Sequence, residues 1–219
     1  MSQQLVEVGR LREAIERALK EGPKRRFKES VELIVVLKRS ELKPEDMRMR
    51  ETVFLPHPPK KDVRICIVAE GDFAVQARNS KAYMVIDRSV LDELSSNRRK
   101  ARKIARACDW TLVQRELMGV AGRVLGPVLG PRGKVPVPIV PSTQLESLIE
   151  SYRRAVLLRV KDQPQVQVRI GTEGNSIDEL VENASAVLQA IENKFKESRA
   201  IEAVYVKKTM GRPIEIKPA

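Results

Sequence analysis

Lys24-Arg25-Arg26-Phe27-Lys28 packs four cations and one aromatic ring into five residues. A ring among cations suits stacking on a base or ribose while the charges meet phosphate. A plainer role also fits, with Phe27 anchoring the strand that follows and the charges solvated. A second cluster, Arg98 to Arg106, holds six cations in nine residues and no acid. On a helix these charges ring most of the circumference, as a nucleic-acid patch or a solvated helix would. The third group is Thr209-Met210-Gly211-Arg212-Pro213. Here Gly allows close backbone approach, Thr offers a hydroxyl, Met a soft apolar contact and Arg a fork for phosphate or a base edge. An ordinary hairpin turn would use the same residues.

Catalytic patterns are harder to find. Gly133-Lys134 looks like the end of a phosphate loop, but Val135 stands where Ser or Thr is needed and Val128 where the first Gly should be. His57 is the only histidine, so a histidine-based triad or a two-histidine metal site would rest on it alone. Cys66 and Cys108 are too few for a disulfide framework and lack zinc-site spacing, so each reads as a small buried hydrophobe. The acids are scattered singly, as on solvated helix faces. No catalytic residue, metal or cofactor is assigned. The rival reading is a nucleotide- or sugar-phosphate-using enzyme built on the middle of the chain, and fold alone is weak support for it.

These groups sit in 219 residues, of which 42% are hydrophobic and 32% charged, with a net charge of +12. The composition excludes a collagen-like or wholly disordered chain. No apolar run approaches the ~18 residues of a spanning helix, and the N-terminus lacks a signal-peptide pattern, which predicts a cytoplasmic protein. The positive charge favours a polyanionic partner. It is spread along the chain without a polybasic tail, as suits recognition by shape and specific contacts.

The elements that must position these groups follow from periodicity. Leu5, Val8, Leu11, Ile15 and Leu19 mark one face of a helix that Gly22-Pro23 ends. Ser30 to Leu37 reads as a strand, and Thr52 to Leu55 as a short apolar run halted by prolines, after a polar stretch containing Pro44. From Val63 the chain alternates strands (63–69, 82–86, 110–113) with helices (73–78, 89–95, 97–107), as parallel βαβ units do. Residues 126–141 hold eight Gly and Pro and read as a long ordered loop. Ser142 opens a helix. Strands at 156–160 and 165–170 precede a long helix whose Ser176 and Glu179 have capping-box spacing. Strands at 203–208 and 214–217 close the chain. Each end alone offers too few strands to bury a face, so pairing the ends around an inserted α/β unit is the arrangement the pattern permits.

Several motifs carry a family resemblance. Val204-Tyr205-Val206-Lys207-Lys208-Thr209-Met210-Gly211-Arg212-Pro213 resembles the C-terminal signature of the ribosomal protein L-one family, stalk proteins of the large ribosomal subunit. Val124 to Pro136, with its two Gly-Pro pairs, resembles the family's central motif. Arg26-Phe27-Lys28-Glu29-Ser30-Val31-Glu32 resembles its N-terminal motif, and Thr52 to His57 its segment before the linker. Order and spacing agree across nearly the whole chain, and the doubled Gly-Pro turn and Arg212 are more archaeal than bacterial in style. Val135 and Val137 depart from the family's usual Met and polar residue, in the second domain.

The resemblance implies a two-domain α+β and α/β protein. Domain I would join residues 1–66 and 158–219, with a Rossmann-like domain II, 67–157, inserted through hinge strands near 64–69 and 157–161. It implies no enzyme activity, no cofactor and no membrane. Its partners would be large-subunit rRNA, the protein's own mRNA, whose translation it would repress, and deacylated tRNA leaving the exit site. The chain would be a monomer on the cytoplasmic ribosome. The RNA surface would comprise Arg26, Phe27, Lys28 and Ser30, with Glu29 orienting cations or meeting a 2′-OH. Gly171 and Thr172 would form a second contact loop, and Thr209, Met210, Gly211 and Arg212 would close the site.

Overall fold

A computed structural model describes residues 6–22, 25–42, 46–141, 144–195 and 200–216. Leu5, Pro23, Lys24, Pro44, Ser142 and Lys217, which entered the sequence reading, lie outside them. The chain divides into two compact units, Met1–Lys61 with Arg154–Ala219, and Asp62–Arg153.

Unit 1 contains α1 (Val8–Lys20), β1 (Ser30–Leu37), β2 (Arg50–Phe54), β7 (Ala155–Arg159), β8 (Gln165–Thr172), α7 (Ile177–Phe195), β9 (Ile201–Lys208) and β10 (Ile214–Ile216), numbered in chain order. Four strands form an antiparallel sheet in the order β10-β9-β1-β8. In β1 the residues Val31, Leu33, Val35 and Leu37 are buried while Glu32, Ile34 and Val36 are half-buried, the period-2 signature of a sheet covered on one face. Helices α1 and α7 pack on each other and against this sheet. The stripe that α1 buries is Leu11, Ala14, Ile15 and Ala18, whereas Val8, expected in the stripe, is exposed in the first turn. The core is continuous across both ends of the chain: Ile15, Leu33, Val168, Val187 and Val204 belong to one cluster. Neither end could bury these side chains alone, at about 1.5–3 kcal/mol each.

Unit 2 contains β3 (Ile65–Val68), α2 (Gly71–Asn79), β4 (Met84–Ile86), α3 (Arg88–Ser96), α4 (Arg98–Ala107), β5 (Trp110–Gln114), α5 (Met118–Leu129), β6 (Pro136–Ile139) and α6 (Leu145–Arg153). Its sheet is parallel, in the order β4-β3-β5-β6. All four residues of β3 are buried, as a strand covered on both faces requires. The outer strand β6 carries Pro136 and Pro138, which withhold N–H groups from any further strand.

Two expectations are corrected. Residues 126–141 are mostly regular: α5 runs through Gly126-Pro127 to Leu129, a 3-10 turn follows at Gly130–Arg132, and β6 begins at Pro136. Three glycines at about 1 kcal/mol each and one proline at about 3 oppose that helix. Burial of Leu125, Val128 and Leu129, worth about 1.5–3 kcal/mol apiece, offsets them. Second, Cys66 and Cys108 are joined in a disulfide, because β3 and β5 are parallel neighbours that pair Cys66 with Thr111 just past Cys108. The segments expected as hinge strands pair within sheets. β3 is an inner strand of the unit 2 sheet, and β7 pairs with β2 in unit 1 through registers such as Thr52↔Leu157. The connections between the units fall after Lys61 and after Arg153.

Candidate nucleic-acid interface

Strand order decides which loops meet. Because β1 lies between β8 and β9 and runs antiparallel to both, its first residues adjoin the last residues of each neighbour. Ser30 pairs with Thr172 on one side, and Val31 with Gly171 and Lys208. Three segments that are far apart in sequence thus end together: residues 25–29, the turn after Thr172 and the turn after Lys208.

Hydrogen bonds tie them. The Thr209 N–H donates to the Ser30 carbonyl (3.0 Å) and the Ser30 N–H to Thr209 Oγ1 (3.2 Å). Gly211 N–H donates to the Lys208 carbonyl (3.0 Å), closing a four-residue turn. Glu29 joins all three segments. Its Oε1 accepts from the Met210 N–H at 2.9 Å, its Oε2 lies 3.7 Å from Lys208 Nζ, and its carbonyl accepts from the Glu173 N–H at 3.0 Å. The Lys208 and Glu29 side chains are only 6% and 3% exposed. Buried charges persist when they are paired and hydrogen-bonded, so this pair holds the 208–211 turn against the start of β1.

The neighbouring turn is organised by Asn175. Its Oδ1 accepts from the Thr172 N–H and hydroxyl, both at 3.0 Å, and its Nδ2 donates to Glu179 Oε2 (3.0 Å) and the Pro58 carbonyl (3.2 Å). The capping box expected at the start of α7 is present, with Ser176 N–H to Glu179 Oε2 at 2.9 Å and Glu179 N–H to Ser176 Oγ at 3.2 Å. The donors at Ser176 and then Asn175 hold the Glu179 carboxyl below the usual carboxylate range. A depressed folded value gives stabilisation that is complete above the ordinary carboxylate pKa, about 4.3, and lost as pH falls through the folded value. Amide NMR shifts of residues 176–180 are therefore expected to move in a step below about pH 4.3. Glu179→Gln should abolish that step, and its persistence in the variant would assign it to another group.

The expected site residues separate into three layers. Arg26, Phe27, Lys28, Met210 and Arg212 are exposed, with Phe27 at 53% and Met210 at 60%. Ser30, Thr209 and Gly211 are half-buried between them. Glu29, Gly171 and Thr172 are buried beneath the exposed residues. Glu29 spends its carboxylate on Lys208 and Met210. Thr172 spends its hydroxyl on Asn175, and a Cβ on Gly171 would lie 2.5 Å from Leu180 Cδ2. Lys208, Asn175 and Asn183 are not among the site residues the sequence singles out. Asn183 is fully buried, accepts from the His57 N–H (2.9 Å) and donates to the His57 and Ile170 carbonyls (2.9 and 2.8 Å). A signal for Lys208 was present: Val204, Val206 and Lys208 alternate on the inward face of β9, and a lysine there needs a buried carboxylate.

The features that suggested an enzyme have other employment. The Lys134 ammonium donates to the Ala105 carbonyl at 3.1 Å and to the Cys108 carbonyl, and burial pushes its pKa down. The His57 ring sits 2.7 Å from Glu182 Oε2. Among the described residues no group of three His, Cys, Asp or Glu could hold a metal ion.

What remains on the surface of unit 1 is the chemistry of contact: charge for phosphate, a ring and a thioether for flat apolar faces. The class is an α+β unit carrying an α/β insertion. The chain belongs to the ribosomal protein L1p/L10e family, whose model matches residues 19–212. It is 51% identical over 216 residues to the large ribosomal subunit protein uL1 of Aeropyrum pernix, covering 99% of this chain and 98% of that protein. It is 50% identical over 211 residues to that of Hyperthermus butylicus, covering 94% and 97%. The uL1 of Thermofilum pendens is 45% identical over 217 residues, covering 98% and 96%.

Proposed function

We propose that the chain is a constituent of the large ribosomal subunit in the cytoplasm, and that the β1, β8 and β9 end of unit 1 binds a structured segment of large-subunit rRNA. The observation that carries this reading is Glu29, which fastens the Phe27 segment and the Met210 turn into one surface. Hydroxyls, backbone and an apolar ring suit ribose faces and 2′-OH groups, so the surface reads RNA over DNA. Phosphate-directed cations at Arg26, Lys28 and Arg212 set affinity and salt dependence. A fold of the protein's own mRNA that mimics the rRNA segment competes for the same surface, and repression of translation follows. Held on the rRNA as a monomer, the protein forms the mobile stalk that accompanies deacylated tRNA from the exit site.

Phe27→Ala is expected to weaken binding of an rRNA fragment by about 1–3 kcal/mol if the ring stacks on a nucleotide. It should leave the unfolding midpoint in place, because the ring is half exposed. Filter binding with both RNAs tests the proposal: equal losses for rRNA and message support a single surface, and no loss for either removes Phe27 from it.

A further inference from the structure

Helix α4 is capped by Asn97, whose Oδ1 accepts from the Lys100 N–H at 3.0 Å, but its charges oppose it. Its first turn holds Arg98, Arg99 and Lys100 and no acid, against the positive end of the helix dipole. Arg98, Arg102 and Arg106 follow one another at i, i+4 and i+8, and Arg99 and Lys103 form a second such row, spacings at which like charges repel. These five are exposed and have no acidic partner among the described residues, whereas Lys100 reaches Glu93 at 2.5 Å. The opposite face, Ala101, Ile104 and Ala105, is buried in the unit 2 core. All five unpaired cations therefore point outward over one arc, repeating about every 6 Å along the axis. The helix is also anchored. Lys134 Nζ donates to the carbonyls of Ala105 and Cys108 at its C-terminal end, and Cys108 is bonded to Cys66 of β3. Like charges left unpaired among the described residues, on a helix anchored elsewhere, mark a candidate functional surface.

We propose that α4 is a second nucleic-acid surface, located in unit 2, that binds the phosphate backbone of RNA without reading its bases. A regular row of fixed guanidinium groups on a rigid helix matches a regular row of phosphates. It offers no ring for stacking and no turn for 2′-OH contacts, so affinity here is electrostatic and independent of sequence. The proposal stands apart from the unit 1 surface.

The test uses the full chain and a random-sequence RNA duplex. Arg99→Gln/Arg102→Gln/Arg106→Gln should weaken duplex binding about tenfold at low salt and flatten the slope of log Kd against log salt by about 2 to 3, as loss of three phosphate contacts requires. Its melting temperature should hold or rise, because repulsion within the helix is relieved. A control, Lys81→Gln/Arg115→Gln/Arg123→Gln, removes the same charge from exposed positions elsewhere in unit 2. An unchanged affinity and slope in the α4 variant, or an equal loss in the control, overturns the proposal. So does loss of polyglutamate binding as large as the loss for RNA, which would make α4 a docking face for acidic protein.

Discussion

Glu29→Ala is expected to destabilise the protein by about 3–5 kcal/mol, the cost of leaving a buried charge without its partner. The Lys208 ammonium would remain 6% exposed with no counterion, and the Met210 N–H would lose its acceptor. An ordinary surface pair would cost less than about 1 kcal/mol, so the denaturant midpoint separates the two cases. A second variant makes the argument sharper. Glu29→Gln/Lys208→Met removes both charges, keeps an acceptor for Met210 and should regain most of the lost stability, since a buried pair and an apolar replacement are often close in energy. Because Lys208 is buried, its charge is not presented to a ligand. The double variant should then bind rRNA nearly as well as the parent. If it is stable but binds poorly, Lys208 or Glu29 reaches the RNA, and the anchoring role assigned to the pair fails.

How far the sequence reveals such a pair depends on distance along the chain. Local pattern is legible: the strand read at 30–37 is present, the apolar strand read at 63–69 is present over Ile65–Val68, and the Ser176–Glu179 box forms as its spacing predicts. So are the exposed tips of the interface, because an aromatic among cations and a Gly-containing turn are themselves unusual. What lies beneath them is not local. Glu29 and Lys208 meet only because β1 enters the sheet beside β9, a fact no window of sequence contains. The bond from the Thr172 hydroxyl to Asn175 is likewise invisible until the turn is seen. Helix α5 hides for a different reason: Gly119, Gly122, Gly126 and Pro127 carry breaker propensities, and packing of Leu125 and Leu129 overrides them. The disulfide is hidden likewise, since the pairing of Cys66 with Cys108 follows from strand adjacency and not from their spacing.

Two glycines test whether this division between surface and support is correct. A Cβ on Gly171 would lie 2.5 Å from Leu180 Cδ2 and 3.2 Å from Asn175 Oδ1. Leu180 is fully buried in the unit 1 core, so it has no free space to turn into, and Asn175 holds the turn after β8. Gly171→Val is therefore expected to cost about 3 kcal/mol, the upper part of what overpacking a core does. Its folded fraction should bind rRNA normally. A Cβ on Gly211 meets Lys208 Cβ at 3.3 Å and Lys208 N at 3.4 Å, in a half-buried turn beside exposed Met210. That crowding is mild, and Gly211→Val should cost less than about 1 kcal/mol of stability. Its branched side chain would instead stand where a ligand approaches the 208–211 backbone, and rRNA affinity should fall by tenfold or more. Denaturant unfolding and filter binding on the same two variants give four numbers. The expected pattern is crossed: stability lost at one glycine, affinity at the other. A stable Gly171→Val protein that cannot bind would return Gly171 to the contact surface. A destabilised Gly211→Val protein that binds fully would reduce the 208–211 segment to a hairpin turn, because a glycine kept for backbone approach affects the partner before it affects the fold.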